Sequence, residues 1–405
     1  MIRRLEQAGA TVSVVVTVTV ILFVTANLLV QAAYEAAIRT DLIETNPFLR
    51  KYGDAVQKAH PDMDRAALNA LLRETWGHPA VYDPVVQFKE PAREGAYVNV
   101  DVAGFRRGLR QAAWPPQDDR PSVFIFGGST TFGYNVRDEE TLASHFQDLS
   151  EAAFGREVQV YNFGRGNYAS SAEMLLFLRL LFEGHRPEVA VFVDGLNEFQ
   201  HGGSRDLLQS NDLRRLYDNY YSNDLADQLP RIVAALPIMK AINWLMTTLG
   251  LHHPDTGVPA PASDSRPAES EAGRSSADVT LELYGQNRRI VQALSGEFGV
   301  KTAFVWQPIP FYRYDLTYHP FRDTVPIWRS PGHVPGYRKV EALHEAQGMG
   351  ADFVWCAGMQ DGVKEQLYTD SVHYTNLMNR RVAQCILDGL PDGIKHTLRA
   401  QVPTG

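Results

Sequence analysis

The stretch PSVFIFGGSTTFG, Pro121 to Gly133, joins an unbroken apolar run to two glycines and a serine. Val123, Phe124, Ile125 and Phe126 have the pattern of a short strand buried on both faces of a parallel sheet. Gly127 and Gly128 then let the backbone turn without a Cβ clash, which presents Ser129 at the carboxyl end of the strand, where open α/β sheets hold their ligands. An ordinary strand-to-helix turn, with Ser129, Thr130 or Thr131 capping the next helix, is the competing reading of the same residues.

Outward from this stretch the pattern repeats. Glu139 to Phe154 carries Leu142, Phe146 and Leu149 at near-helical spacing. Val158 to Phe163 is a second apolar run and ends in NFGRGNYAS; Ser171 to Phe182 reads as an apolar helix; Glu188 to Val193 is a third run, before DGLNEF. After an interruption come a helix over Leu283 to Phe298, a strand over Thr302 to Trp306, a helix around Gly336 to Glu345 and a strand over Asp352 to Trp355. A helix over Asn376 to Leu387 closes the series, with Leu377, Val382, Cys385 and Ile386 on its buried side. Alternation of this kind predicts a parallel sheet covered on both faces, one α/β/α domain with a single large insertion.

The remaining segments divide the chain into regions 1–34, 35–115 and 116–405. Region 35–115 holds a helix over Met63 to Leu71 and, from Ala80 to Val102, loops with one strand at AYVNVDV; it bridges to the main body and forms one wall of its cleft. The insertion, 200–250, holds a polar helix-like stretch at Leu207 to Tyr217 and then RIVAALPIMKAINWLMTTLG. Lys240, Asn243 and the kink expected at Pro237 argue against a second membrane span there. A lid or substrate-channel helix is the expectation; core packing and membrane contact are the alternatives. His252 to Thr280, rich in Pro, Ala, Ser and Gly, predicts a flexible loop.

Thr11 to Val30, TVSVVVTVTVILFVTANLLV, is uncharged and about the length of a membrane-crossing helix. Arg3 and Arg4 precede it and Glu35, Arg39, Asp41 and Glu44 follow, so the positive-inside tendency puts the tip in the cytoplasm and the rest in the periplasm or outside the cell. The run exceeds a usual signal-peptide core, which favours an uncleaved single-pass signal anchor over cleavage after Val30-Gln31-Ala32. A net charge of -8 over 405 residues gives no basic footprint for nucleic acid. Cys356 and Cys385 have no metal-ligand spacing; two buried small hydrophobes is the expectation and a single disulfide the alternative.

The chemistry-bearing residues stand after the strands. In LYTDSVHYTN, Asp370 and His373 are three apart, close enough for the carboxylate to take a hydrogen bond from one imidazole nitrogen while the other faces a nucleophile. Helix capping by Asp370 or Ser371, with His373 on the surface, is the ordinary alternative. Gly164 and Gly166 permit close backbone approach, and Asn197 follows the third run. Backbone N–H groups with a side-chain amide are the donors that stabilise the oxyanion of acyl transfer. Glu198 lacks a recognisable cluster of metal-ligating partners, so neither a metal nor a cofactor is expected.

Four blocks, GGST at 127–130, NFGRGNY at 162–168, GLNE at 195–198 and DSVH at 370–373, together resemble those of the SGNH/GDSL hydrolase superfamily, in the family's order. The resemblance spans 121–390 and implies a divergent, membrane-anchored member with a flavodoxin-like three-layer α/β/α fold. It implies Ser129 as nucleophile and oxyanion donor, His373 as base, Asp370 as its orienting partner and Asn197 as side-chain donor. The second backbone donor is Gly166 or Asn167. The chain departs from the family pattern in carrying Gly128 where an aspartate is usual and Glu198 where an aspartate is common.

This implies a serine esterase or acyl hydrolase acting on ester-linked groups of a cell-envelope substrate, an acylated glycan or a lipid ester. An O-acyltransferase modifying an exported polysaccharide is the alternative within the enzyme class, and a non-catalytic envelope carbohydrate-binding or assembly protein the alternative outside it. Trp306, Tyr312, Tyr314 and His319, beyond a strand end, either pack locally or line the cleft. Arg165 either contacts an anionic sugar or is a solvated loop residue.

Overall fold

The apolar runs of the sequence form the strands of one parallel sheet. Two short strands precede it, β1 (Val81–Asp83) and β2 (Gln87–Lys89), paired antiparallel with each other. The sheet holds β3 (Ser122–Gly127), β4 (Gln159–Gly164), β5 (Val189–Asp194), β6 (Lys301–Trp306) and β7 (Phe353–Trp355), in the order β4-β3-β5-β6-β7. Its registers pair Gly127 with Gly164 and Val123 with Val189. The computed structural model describes residues 2–39, 49, 53–116, 120–200, 233–234, 236–248, 275–322 and 332–399.

The helices, in chain order, are α1 (Ile2–Arg39), α2 (Asp54–Ala59), α3 (Arg65–Trp76), α4 (Ser129–Phe132), α5 (Leu142–Phe154), α6 (Ser170–Phe182) and α7 (Leu196–Gln200). They continue with α8 (Pro237–Thr248), α9 (Ser276–Phe298), α10 (His333–Glu345), α11 (Asn376–Gly389) and α12 (Asp392–Arg399).

The alternation inside VFIF sorts the core into two chemistries, because successive side chains of a strand point to opposite faces. Val123 and Ile125 join a mainly aliphatic layer with Leu142 and Phe146 of α5 and Met378, Val382 and Ile386 of α11. Phe124 and Phe126 face the other way into an aromatic layer with Tyr161, Phe163, Phe177 and Phe192. On that face α6 supplies Phe177, and Arg288 of α9 lies over the Phe304 ring. The chain leaves β3 for β4 on one side and later places β5 on the other, so a crevice opens at the carboxyl ends of β3 and β5.

The chain divides into two compact units, Met1–Lys51 with Asn211–Ala260, and Tyr52–Ser210 with Pro261–Gly405. In the first, α1 holds a stretch, Thr11–Ala36, long and apolar enough by length and composition to cross a membrane; a signal sequence passes the same test. In that unit α8 packs on α1. Leu207 to Tyr217 and residues 252–274 lie outside the described residues.

Several expectations are corrected. AYVNVDV forms no continuous strand: the N–H groups of Ala96, Tyr97 and Val98 donate to the Glu74 carboxylate and that of Asn99 to Asp138, so side chains take bonds that a sheet would use, and only isolated bridges remain, of Val100 to Arg93 and Arg106. The strands of 80–102 are instead β1 and β2. Residues 276–280 are helical, because Ser275 caps α9 by accepting from the Asp278 N–H. The segment 139–154 splits into a 3-10 turn (Asp138–Glu140) and α5, whose N-cap is Thr141. Cys356 and Cys385 are joined in a disulfide, with Cα atoms 6.0 Å apart, which ties the chain after β7 to the middle of α11.

Candidate active site

Ser129 is the first residue of α4, a four-residue helix that Gly133 ends in a left-handed conformation. The turn is fixed from behind: the Thr130 hydroxyl donates to Gln307 Oε1 at 2.7 Å, and the Tyr374 hydroxyl donates to the same oxygen at 2.9 Å. Gln307 directly follows β6, so the turn bearing Ser129 is pinned to the end of that strand.

His373 sits between Ser129 and Asp370. Its Nε2 lies 2.8 Å from Ser129 Oγ and its Nδ1 lies 2.5 Å from Asp370 Oδ2. Burial alone would raise the Asp370 pKa; the facing imidazole and the N–H groups of His373 and Val372 outweigh it and hold the carboxyl at about 2. An ionised carboxylate only accepts, so His373 Nδ1 carries the proton and Nε2 presents its lone pair to the serine hydroxyl. The imidazole is held by rings as well: Tyr134 stacks on it at 5.1 Å between centroids, and Trp76 meets it edge-on at 5.7 Å.

A second partner fixes Asp370. Asn135, buried and left-handed at φ 65°, donates from Nδ2 to Asp370 Oδ2 at 2.8 Å and accepts the Trp76 indole N–H on Oδ1 at 2.6 Å. The turn bearing Tyr134 and Asn135 is held by the buried guanidinium of Arg106, which donates to the carbonyls of Phe132, Gly133 and Val136 and to Asp138. Trp76, Glu90 and Arg106 all come from the region before β3, which therefore supplies part of the site's frame.

Asn197 lies across the crevice. A Cβ placed on Gly128 would sit 2.4 Å from Asn197 Nδ2, so glycine at 128 is what lets the amide approach the turn bearing Ser129. One N–H of that amide donates to the Tyr168 carbonyl at 2.6 Å; the other has no bond among the described residues. The Gly166 N–H donates to Glu90 Oε1 at 2.8 Å and the Tyr134 hydroxyl donates to the same oxygen at 3.2 Å. Of the two backbone candidates, Asn167, exposed and at φ 65°, is the one whose N–H makes no bond among the described residues.

Glu198 is buried and accepts the N–H of Ser170 at 2.9 Å and of Gly195 at 2.5 Å, which anchors the start of α7, the helix carrying Asn197. Beside it stand Glu173 and Asp194, the three offering ligand atoms within 4.8 Å of one another. Burial pushes all three above the ordinary carboxylate range, and mutual repulsion adds to the rise at Glu173 and Asp194. The oxygens of Glu173 and Asp194 meet no N–H or O–H donor among the described residues, which fits carboxyl groups that retain protons.

Other candidates are structural. Arg165 is neither solvated nor turned to a ligand: it is buried and donates to the Phe88 carbonyl and the Tyr168 hydroxyl. Trp306, Tyr312, Tyr314 and His319 are buried. Burial takes the His319 pKa down to about 4, and its ring stacks on Tyr368. Nothing local in the sequence marks Trp76, Glu90 or Gln307; Asn135, two residues after Gly133, is of a type that tolerates a left-handed turn position, which does not mark it as a carboxylate partner.

No family model and no curated protein sequence matches the chain. Among solved structures it is similar to a psychrotrophic esterase from Pseudoalteromonas sp., at 12% identity and TM-score 0.35, covering 70% of this chain and 100% of that one. It is also similar to a carbohydrate acetylesterase family member from Sinorhizobium meliloti, at 13% identity and TM-score 0.35, over 69% and 99% of the two chains. A lipase from a goat rumen metagenome is similar at 10% identity and TM-score 0.36, over 66% and 97%. Likeness at this level carries no functional argument, which rests on the side chains.

Proposed function

We propose that the chain is a serine esterase or acyl hydrolase of the SGNH type on a flavodoxin-like sheet, and that it removes ester-linked acyl groups from a cell-envelope substrate. The observation that carries this reading is the unbroken relay from Ser129 Oγ through the His373 imidazole to the ionised Asp370. The strand order β4-β3-β5-β6-β7 is that of the flavodoxin-like class and supports the same fold.

In the mechanism, His373 Nε2 takes the hydroxyl proton as Ser129 Oγ bonds to the ester carbonyl carbon. The negative oxygen rests on the N–H of Ser129, the free N–H of the Asn197 amide and the N–H of Asn167. As the tetrahedral intermediate collapses, Nε2 gives its proton to the leaving alkoxide. Water, deprotonated by His373, then releases the acid and restores the serine. The carboxyl group of Asp370 stays ionised throughout and stabilises the imidazolium.

The same proposal places 1–34 in the membrane as a single-pass anchor, 35–115 as the segment that frames the site and 116–405 as the catalytic body, outside the cytoplasm. The test is turnover of p-nitrophenyl acetate by wild type and Ser129→Ala, with serine labelling by an activated phosphonate. Loss of turnover and labelling in the variant is expected; equal turnover by both proteins sinks the reading.

A further inference from the structure

We propose that α8 is a second membrane-buried element, lying among lipid acyl chains against α1; the inference rests on the reading of α1 as a membrane anchor.

It starts from Asn27, a carboxamide in the carboxyl-terminal half of the candidate span Thr11–Ala36. Its neighbours on α1 are open, Leu28 at 65% and Leu29 at 67% exposure, whereas Asn27 is at 8%. Asn27 Nδ2 donates to the Phe23 carbonyl at 2.9 Å, and its Oδ1 accepts the N–H of Ile238, the second residue of α8, at 3.2 Å. A polar side chain inside the candidate span is thus satisfied by a helix terminus, and the terminus by it.

The first turn of a helix carries N–H groups without an intrahelical partner, which water ordinarily satisfies. At α8 water is not needed. Pro237 stands first and has no N–H; Ile238 donates to Asn27; Met239 and Lys240 both donate to the Leu236 carbonyl, at 3.0 and 3.1 Å. A helix end with every donor paired inside the protein is the condition that lipid imposes on backbone, since an unpaired group there costs several kcal/mol.

The rest of the helix has the matching side chains. Ile242, Leu245 and Met246 form a stripe at i, i+3 and i+4, at 44%, 48% and 38% exposure although α8 already packs on α1. Lys240 and Asn243 stand on another arc, where a long cation can reach the headgroups. At 12 residues α8 is about 18 Å long, short of the roughly 30 Å hydrocarbon core, so it enters one leaflet and does not cross. Because it is joined to α1 at Asn27, inside Thr11–Ala36, the occupant of its open face is lipid.

The test uses the full chain in vesicles of phosphatidylethanolamine and phosphatidylglycerol. Native thiols are paired, so single cysteines at Leu245 and, as reference, at Leu22 take an environment-sensitive fluorophore. With both probes in the apolar layer, quenching by spin-labelled lipid exceeds quenching by aqueous iodide by about threefold or more. Lipid quenching at 22 with iodide quenching at 245 overturns the inference and leaves the anchor intact. Lipid quenching at 22 with neither quencher reaching 245 assigns the face to a protein surface and also overturns it. Iodide quenching at 22 removes the anchor, and the inference with it.

Discussion

The Trp76 indole donates to Asn135 at 2.6 Å, and that one bond decides which way round the Asn135 amide lies. An indole N–H only donates, so the oxygen must face Trp76 and the nitrogen must face Asp370. The carboxylate beside His373 is therefore held by a side chain whose orientation is set 59 residues earlier in the chain. Trp76→Phe keeps the ring against His373 and removes the donor, leaving a buried oxygen unpaired. A fall in kcat/KM of about tenfold is expected, with a stability loss of about 1–3 kcal/mol. Unchanged kinetics in that variant would show that Asn135 does not position the carboxylate.

Asp370 makes a prediction about acid stability. Its folded value, about 2, lies below the ordinary 3.8, so between the two the unfolded chain binds a proton that the folded one does not. Its contribution is present above the ordinary value and is lost as pH falls toward 2; the shift corresponds to about 2 kcal/mol. Asp370→Asn should flatten that limb of the unfolding curve and lower kcat by roughly 10⁴, by releasing the wrong imidazole tautomer. Removing the Asn135 donor should displace the same limb upward in pH.

Glu173 has the opposite sign. Burial raises its pKa, so as pH climbs past the ordinary 4.5 the unfolded chain releases a proton that the folded chain keeps, and stability falls. Glu173→Gln removes that slope while keeping shape and polarity. Melting temperatures at pH 5 and pH 8 should differ less in the variant than in wild type. An equal difference in both proteins would mean that Glu173 is ionised when folded.

The disulfide closes a sequence separation of 29 residues, for which loop entropy gives about 3.6 kcal/mol. Cys356→Ala with Cys385→Ala should lower urea-unfolding stability by that order, and reductant should do the same to wild type and nothing to the variant. Since α11 begins at Asn376, shortly after His373, loss of activity below the unfolding midpoint is expected too.

The legibility of this chain follows from distance along it. VFIF and EVAVFV announce buried strands by composition alone, and the polar residues just beyond them are Ser129 and Asn197, whereas Asp370 and His373 lie in the segment between β7 and α11. What composition cannot convey is pairing between remote segments. Glu90 reaches the Gly166 N–H from 76 residues away, and Glu74 takes the donors that make AYVNVDV look like a strand. Arg165 reads as a loop cation because its partners, Phe88 and Tyr168, are named by the fold and not by its neighbours. The cysteine pair is silent for the same reason: the two thiols meet only once β7 and α11 are packed.

Gly128 offers the sharpest test of the proposed oxyanion site. Its φ of -82° is one that any residue adopts, so Gly128→Ala brings no backbone strain. The new methyl instead arrives 2.4 Å from Asn197 Nδ2 and 3.2 Å from the Tyr168 carbonyl, and the amide must move away. If that amide stabilises charge only in the transition state, kcat falls by about a hundredfold to a thousandfold while KM changes little. Asn197→Ala should give a loss of the same size, and the double variant should be no worse than either single one, since both remove one interaction. Additive losses would place the effect of residue 128 elsewhere in the turn and leave Asn197 without the assigned role.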